Sequence, residues 1–470
     1  MCSIAFAAAI SEPRRGGPRG QASPRRAGLL ALSIPLLLLG TAASIGAQQV
    51  VERPLTLAEA IAEARAGNAD LAVAESERAM AAGGAREAGS FLWPFLGASV
   101  GLTRSTDPVF AFGAKLRQAD FAEADLALDA LNDPASLSDW TTTLDFRWGA
   151  LDPTRWAGRT AARRQADAAG WGALRARQAV ELQAEVLYWS AVRGAAARTV
   201  AAANEEAARS TRDLFRHRQE RGLLTEADRL QADAELAAAE AARIDAERAE
   251  HEAQRALGVF LGWELDVLPV PSDTLSPPPD AVAGSFDPAA RADLRALAEM
   301  VAAREAERRR ASLAYLPAID AFGQLATHAD NPGAGDDDWT VGVALRWTAF
   351  AGLSRLARRS TADAALDVAR LRRDQAVREA AAEIEIADEA VTAAAGGAHA
   401  SLAARDAAEA ATGLVRRRFE EGLATATDLL QAEARRAAMR GRVVDALAGW
   451  RIAVARAAFV RSPSDPEDLP

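Results

Sequence analysis

Two proline-free stretches, 156–221 and 354–421, constrain the fold of this chain most strongly. Both are rich in alanine, arginine and glutamate, which are good helix formers. Taken as unbroken helices of about 66 residues, each would reach roughly 100 Å at the standard rise per residue. That length exceeds one globular domain, so the sequence predicts a rod-like, mainly helical protein.

The chain is organised as two similar halves. The segment GLLTEADRLQA at 222–232 matches GLATATDLLQA at 422–432, and the Trp-bounded segment 140–148 matches 339–347. Each half runs in the order helix, strand, loop, Trp-bounded strand, long helix, Gly-Leu turn and helix. A repeat of this size indicates duplication of a whole supersecondary unit rather than a short solenoid repeat.

Both Trp-bounded segments alternate with a period of two, so each predicts a strand with one apolar face. The tryptophans at the two ends share that face and lie roughly 26 Å apart along the strand, or about 20 Å when the strand is tilted. This approximates the lipid-facing band of an outer-membrane strand. A soluble amphipathic hairpin is the alternative, which the repetition disfavours. The predicted membrane-interface aromatics are Trp140, Trp148, Trp339 and Trp347.

The partner strands are predicted at 95–103 and 318–325, which completes two hairpins. Four strands cannot close a membrane barrel, since known barrels begin at about eight. The chain is therefore expected to associate with copies of itself if it spans a membrane. The segment 104–138 is expected to be an outer loop that packs over the mouth of the barrel.

The first 47 residues have the order of a secretory signal peptide. Arginines precede the apolar run Leu29 to Leu39, and small residues follow as far as Ala47. The run is too short for a typical membrane-spanning helix, although a retained anchor is the alternative. The only cysteine, Cys2, would be lost on cleavage, which would leave no disulfide, thiol nucleophile or lipid-attachment site.

Charge and motif content disfavour other classes of function. The net charge is -10 and no basic block stands clear of matching acids, which argues against nucleic-acid binding. The four histidines are scattered without metal-ligand spacing, and no phosphate loop or nucleophile elbow is present. We therefore expect no catalytic residues, no metal site and no cofactor.

The Gly-Leu segments predict tight turns between antiparallel helices. Arginines precede Gly222 and Gly422, and glycine after a basic last turn is a signal for a helix C-terminus. Three residues later, Thr225 and Thr425 begin a Thr-x-x-Asp pattern that is typical of a helix start.

Taken in order, these motifs resemble the TolC-like outer membrane efflux protein family, also called outer membrane factors. The resemblance covers the chain from about 54 to 461 and includes the doubled Gly-Leu segment. The other motifs that carry it are Leu55–Ile61, Arg291–Leu297, Tyr315–Pro317, Trp339–Gly342 and Phe350–Gly352.

The resemblance implies a mainly α fold with a small membrane β part. A long antiparallel α-helical barrel and four transmembrane strands per chain would assemble as a homotrimer with a twelve-stranded barrel in outer-membrane lipid. The implied partners are a periplasmic adaptor (membrane fusion) protein and an inner-membrane transporter. The implied function is a passive exit duct for tripartite efflux or type I secretion of drugs, metals or proteins. The competing hypothesis is a periplasmic coiled-coil adaptor or scaffold without a membrane barrel.

In the resembled family the two turns form the periplasmic tip. The resemblance implies adaptor contacts at Arg218, Gly222, Leu223, Arg418, Gly422 and Leu423. It implies a narrow aperture lined by Asp228, Asp428, Gln231 and Gln431, where the glutamines replace a second acid found in some members. The aspartates are expected to cap their helices, to line the pore, or to do both.

The two halves are also expected to differ where the strand meets the long helix. Leu151-Asp-Pro-Thr departs from the family's Phe-x-Gly-Gly pattern, whereas Phe350-Ala-Gly352 keeps more of it. The predicted division of the chain is signal peptide 1–47, N-terminal helix 48–93, first β-hairpin 94–150, first helical hairpin 151–262, Pro-rich connector 263–290, helix 291–315, second β-hairpin 316–350, second helical hairpin 351–461 and tail 462–470.

Overall fold

The computed structural model describes residues 51–279, 290–332 and 335–463. The predicted signal peptide 1–47 lies outside these residues. So do part of the predicted connector and all but the first two residues of the predicted tail.

Two helices dominate the described chain. Helix α5 (Pro153–Glu220) has 68 residues and α8 (Ser354–Glu420) has 67, so the prediction of two unbroken long helices is confirmed. No helix among the described residues combines the length and apolarity needed to cross a membrane. The other helices are α1 (Leu57–Gly67), α2 (Ala69–Ser90), α3 (Pro108–Arg117), α4 (Leu128–Asn132), α6 (Glu226–Phe260), α7 (Ala292–Leu313) and α9 (Ala426–Arg461).

The long helices begin differently in the two halves, as the junction sequences predicted. Asp152 caps α5 by accepting a hydrogen bond from the backbone N–H of Thr154, and Pro153 occupies the first turn. Helix α8 follows Gly352 and Leu353, which have φ values of 57° and 63°, and Leu353 offers no side-chain cap. Only the first half thus starts its long helix with a side-chain cap.

Four antiparallel strands form one sheet in the order β2-β3-β5-β6. Both predicted hairpins are confirmed, and they join through β3 and β5 at the centre of the sheet. Three of the strands continue past their predicted ends, to Ser105, Leu151 and Ala329. The strands are β2 (Phe95–Ser105), β3 (Leu137–Leu151), β5 (Ala318–Ala329) and β6 (Asp336–Arg346).

The register aligns apolar residues on one face across all four strands. Leu144 lies opposite Ala98 on one side and Leu325 on the other, and Leu325 lies opposite Trp339. Directly opposed residues share a face, so this face is continuous across the sheet. The exposed members include Leu96, Val100, Leu102, Leu144, Trp148, Leu325, Trp339, Val341, Val343 and Leu345.

A second, smaller sheet braces the middle of α5. Strand β1 (Val51–Leu55) pairs in parallel with β4 (Val267–Pro271), which lies in the predicted connector. Tyr188, halfway along α5, is fully buried beneath it and donates its hydroxyl to the Leu55 carbonyl at 3.1 Å or the Asp273 carboxylate at 2.5 Å. Burial and the neighbouring Asp273 raise the pKa of Tyr188 above its ordinary value. The brace ties both ends of the first half to its long helix.

Two segments differ from their predicted form. In place of one helix over 48–93, the structure has β1, α1 and α2, with the break at Asn68, whose side chain caps α2. The outer loop 104–138 contains α3, α4 and a short 3₁₀ turn. Gln118 at the end of α3 donates to Asp139 at 2.9 Å, which holds the loop against the start of β3.

Candidate functional site at the helical tips

The turns that follow α5 and α8 have the same backbone geometry. Gly222 and Gly422 have φ values of 71° and 78°, a region that glycine occupies at little cost. The Leu223 N–H donates to the Arg218 carbonyl at 2.9 Å, and the Leu423 N–H donates to the Arg418 carbonyl at 2.7 Å. Just inside these bonds, the Gly222 N–H donates to the Gln219 carbonyl and the Gly422 N–H to the Phe419 carbonyl. Together the bonds form the Schellman motif, which satisfies the last carbonyls of a helix. The predicted tight turns are confirmed.

The helices that leave the turns start with reciprocal capping boxes. Asp228 accepts hydrogen bonds from the Thr225 N–H at 3.0 Å and the Thr225 hydroxyl at 2.6 Å. Asp428 accepts the equivalent bonds from Thr425 at 2.9 and 2.7 Å. The predicted capping role is therefore confirmed for both aspartates.

These bonds also fix the charge at the second tip. Hydrogen bonds from the Thr425 hydroxyl and N–H lower the pKa of Asp428 below its ordinary value, and nearby Arg418 lowers it further. Asp428 is exposed, so the tip presents a carboxylate that stays ionised at neutral pH. Gln231 and Gln431, one turn further on, are also exposed.

An apolar cluster packs the two helical hairpins together in the helix ends next to the turns. Phe215 of α5 and Phe419 of α8 stack with centroids 5.2 Å apart and planes 27° apart, and their exposed fractions are 0% and 2%. The other buried members of this tip cluster are Ala232, Ala426, Leu429 and Leu430. The tips of one chain are therefore a single packed unit and not two separate hairpin ends.

Arg218 links the tips through the backbone. Its guanidinium donates to the carbonyls of Phe419 at 2.8 Å and Glu420 at 2.7 Å, and lies 4.6 Å from the centroid of the Phe419 ring. The sequence predicted a basic last turn for Arg218 but not this acceptor, which lies 201 residues away at Phe419. An arginine four residues before each tip glycine was the available signal.

The two tips differ in chemistry at equivalent positions. Arg229 pairs with Asp233 at 2.6 Å, whereas its counterpart Leu429 is fully buried in the tip cluster. Both tips nevertheless end in an exposed leucine, Leu223 at 67% and Leu423 at 65%. Each pair of hairpins therefore offers two apolar points set among charged residues.

At the other end of the long helices, Trp148 and Trp347 make equivalent bonds where β3 and β6 lead into α5 and α8. The Trp148 indole N–H donates to the Leu92 carbonyl at 3.0 Å, and the Trp347 indole N–H donates to the Tyr315 carbonyl at 3.2 Å. Trp339 is 72% exposed, and Trp140 is partly buried. The bonds fix each strand-to-helix junction to the turn that precedes the partner strand.

Comparisons with known proteins agree with this architecture. Residues 60–262 and 289–458 match the model of the family described as outer membrane efflux protein. No curated protein sequence matches the chain.

Several solved structures share the fold at low sequence identity. The outer membrane protein VceC of Vibrio cholerae is 20% identical, with 87% of this chain and 96% of that chain covered and a TM-score of 0.72. The CmeC outer membrane channel of Campylobacter jejuni is 15% identical, with 88% and 87% covered and a TM-score of 0.73. The open state of the MtrE outer membrane channel of Neisseria gonorrhoeae is 18% identical, with 86% and 88% covered and a TM-score of 0.70.

The family match spans both halves of the chain, including both tips and the four-stranded sheet. This protein belongs to the outer membrane efflux protein family and is an outer-membrane exit duct.

Proposed function

We propose that three copies of this chain assemble into one continuous conduit. Their sheets close edge to edge as a twelve-stranded barrel in outer-membrane lipid, and their helical hairpins form a tunnel below it. The supporting observation is the four-stranded sheet, whose apolar face is exposed and whose two edges, β2 and β6, lack a partner among the described strands. Unpaired edges are costly in lipid, so closure needs further strands from other copies.

The conduit conducts passively, and a partner protein supplies the energy for transport. A periplasmic adaptor contacts the tips, and an inner-membrane transporter loads the substrate. The exposed Leu223 and Leu423 support an adaptor contact, because they occupy matching positions on the two turns and burial of both in a partner would remove apolar surface from water. Arg218 and Arg418 flank these leucines, with Gly222 and Gly422 setting the turn.

The aspartates at the tips act as an electrostatic filter in addition to capping their helices. In a trimer, Asp228 and Asp428 of all copies surround one axis, and a ring of carboxylates favours cations over anions. The exposed Gln231 and Gln431 follow one turn further along. Because they are neutral, the aperture carries one acidic layer rather than two.

Fractionation with heat-modifiable gel migration tests the assembly. The expected result is an outer-membrane protein that runs as a trimer before heating and as a monomer after it. Recovery as a soluble periplasmic monomer would contradict the proposal and favour the coiled-coil scaffold.

Site-specific photo-crosslinking in intact envelopes tests the adaptor contact. A photoreactive residue at Leu423 is expected to capture an adaptor. The same residue at Val109, which is 81% exposed in the outer loop, is the matched control and is expected not to capture it. Equal capture from both positions would contradict a tip-specific contact. The inner-membrane protein recovered with the adaptor identifies whether the cargo is a drug, a metal or a protein.

A further inference from the structure

Arginines occupy matching positions in the two tips, but among the described residues Arg218 alone bonds to the last turn of the other long helix. Arg218 donates to the last-turn carbonyls of α8. Arg418 holds the equivalent place four residues before Gly422, but it is exposed and donates to no such pair of carbonyls among the described residues. Among the described residues Arg418 contributes its charge near Asp428, so the duplication leaves one arginine of this type without bonds to last-turn carbonyls.

A pair of leucines shows the same asymmetry. Leu214 packs against the tip cluster and Leu430 is 6% exposed within it. Their counterparts in the other half are Leu414, which is 55% exposed, and Leu230, which is 53% exposed. These two leucines are on α8 and α6, and they lie on surfaces that the chain itself does not cover.

The packing of the helices explains both asymmetries. Helix α5 packs on its hairpin partner α6, on α7 and α2, and also on α9 of the other half. Among the described residues, α8 packs extensively only on α9 and α7. By the duplication, α8 corresponds to α5 and α6 corresponds to α9. The counterpart of the α5–α9 contact is a contact between α8 and α6, which the described part of the chain does not make extensively.

We infer that Arg418 of one copy donates to the backbone carbonyls of Gln219 and Glu220 in a second copy, while Leu414 packs against the second copy's Leu230. This inference rests on the proposed self-association. Gln219 and Glu220 correspond to Phe419 and Glu420, the acceptors of Arg218. Backbone carbonyls in the last turn of a helix accept such bonds whatever their side chains, and the helix dipole favours a cation there.

The consequence is a ring of hairpin tips joined by arginine-to-carbonyl bonds that alternate between bonds within a chain and bonds between chains. The link between chains has no stacked phenylalanine, because Gln219 replaces Phe419 and Val415 replaces Phe215. It lacks the aromatic pairing of the link within the chain and is the weaker of the two.

Crosslinking between single-cysteine chains tests the inference. Two differently tagged chains, one with Arg418→Cys and one with Glu220→Cys, are co-expressed in a Cys2→Ser background and treated with a short bis-maleimide. The matched control co-expresses Arg218→Cys and Glu420→Cys chains, whose contact lies within one chain. We expect a product that carries both tags, with a yield several-fold above that of the control pair.

An equal or higher yield from the control pair would overturn the inference. So would the absence of a product from the first pair in a protein that still runs as a trimer before heating. If the unsubstituted protein is a monomer in the membrane fraction, the proposed assembly fails as well, which distinguishes the two failures.

Discussion

Phe419→Ala removes the ring that joins the two tips of one chain. The ring is 2% exposed, stacks on Phe215 at 5.2 Å and carries the Arg218 guanidinium at 4.6 Å. The hydrogen bonds from Arg218 end on backbone carbonyls, so the substitution leaves their acceptors in place. The perturbation is therefore confined to packing in the tip cluster.

Truncation of a buried phenylalanine costs about 3–5 kcal/mol in a core that relaxes only partly. Roughly 0.5–1.5 kcal/mol of this comes from the paired rings and about 0.5–1 kcal/mol from the cation over the ring. If local opening of the tip carries the full cost, its equilibrium constant rises by about two to three and a half powers of ten. Phe419→Leu, which keeps most of the apolar volume, is expected to lose much less.

Hydrogen exchange followed by mass spectrometry measures this opening. Amides of 210–235 and 410–435 are expected to exchange faster in Phe419→Ala, while the sheet and the brace around Tyr188 keep their protection. Leu423→Ala, at a position 65% exposed on the same turn, is the matched control and is expected to change little. Equal effects of the two substitutions, or equal loss of protection along the whole chain, would refute the packing argument.

Three further predictions concern charge, capping and the brace. Asp428→Asn is expected to lower the cation preference in planar-bilayer recordings, and an unchanged reversal potential would leave the residue as a cap only. The pKa of Asp428 is lowered from 3.8 in the folded protein. The cation preference and the stability of the cap are therefore both expected to be present above pH 3.8 and to be lost only as the pH falls through the lower pKa of the folded state. Thr425→Ala is expected to cost about 1 kcal/mol in local stability of α9 and Thr425→Ser much less, measured by exchange at the tip. Tyr188→Phe removes a buried donor and is expected to cost about 1–3 kcal/mol, seen as faster exchange in β1 and β4 with the tips unchanged; uniform loss of protection would argue against a local brace.

Features that depend on a few neighbouring residues could be predicted from the sequence. The ends of α5 and α8 follow from Gly222 and Gly422, and the starts of α6 and α9 follow from the Thr-x-x-Asp pattern. A Schellman turn and a capping box each satisfy the free backbone groups of a helix end within about one turn, so the local sequence is sufficient.

Features that depend on distant contacts could not be predicted in this way. The segments Val51–Leu55 and Val267–Pro271 are short and contain prolines, so they resemble linkers until they are seen to pair in parallel, although almost half the length of the sequence separates them. The break at Asn68 was missed because the surrounding helix propensity is high, although its capping side chain was visible in the sequence. The acceptors of Arg218 lie in the other half and carry no side-chain signature, since they are backbone carbonyls.

The difference between the two tips has a further cause. Leu430 is buried and Leu230 is exposed although the two occupy matching positions, because α9 packs on both α8 and α5 within the chain, whereas α6 packs mainly on α5. A repeat in the sequence predicts equivalent local structure, but burial depends on which neighbours one copy supplies.

Single-channel conductance with a cysteine on either face of β5 tests most directly whether the sheets of three chains form one membrane barrel. Gln324 and Leu325 are adjacent and exposed, and they lie on opposite faces of the sheet, with Leu325 on the apolar face. In a Cys2→Ser background, a charged thiol reagent is expected to lower the conductance of Gln324→Cys, in up to three steps if three chains line one pore, and to leave Leu325→Cys unchanged. Failure to form a channel, or a block at Leu325→Cys and not at Gln324→Cys, would contradict the account.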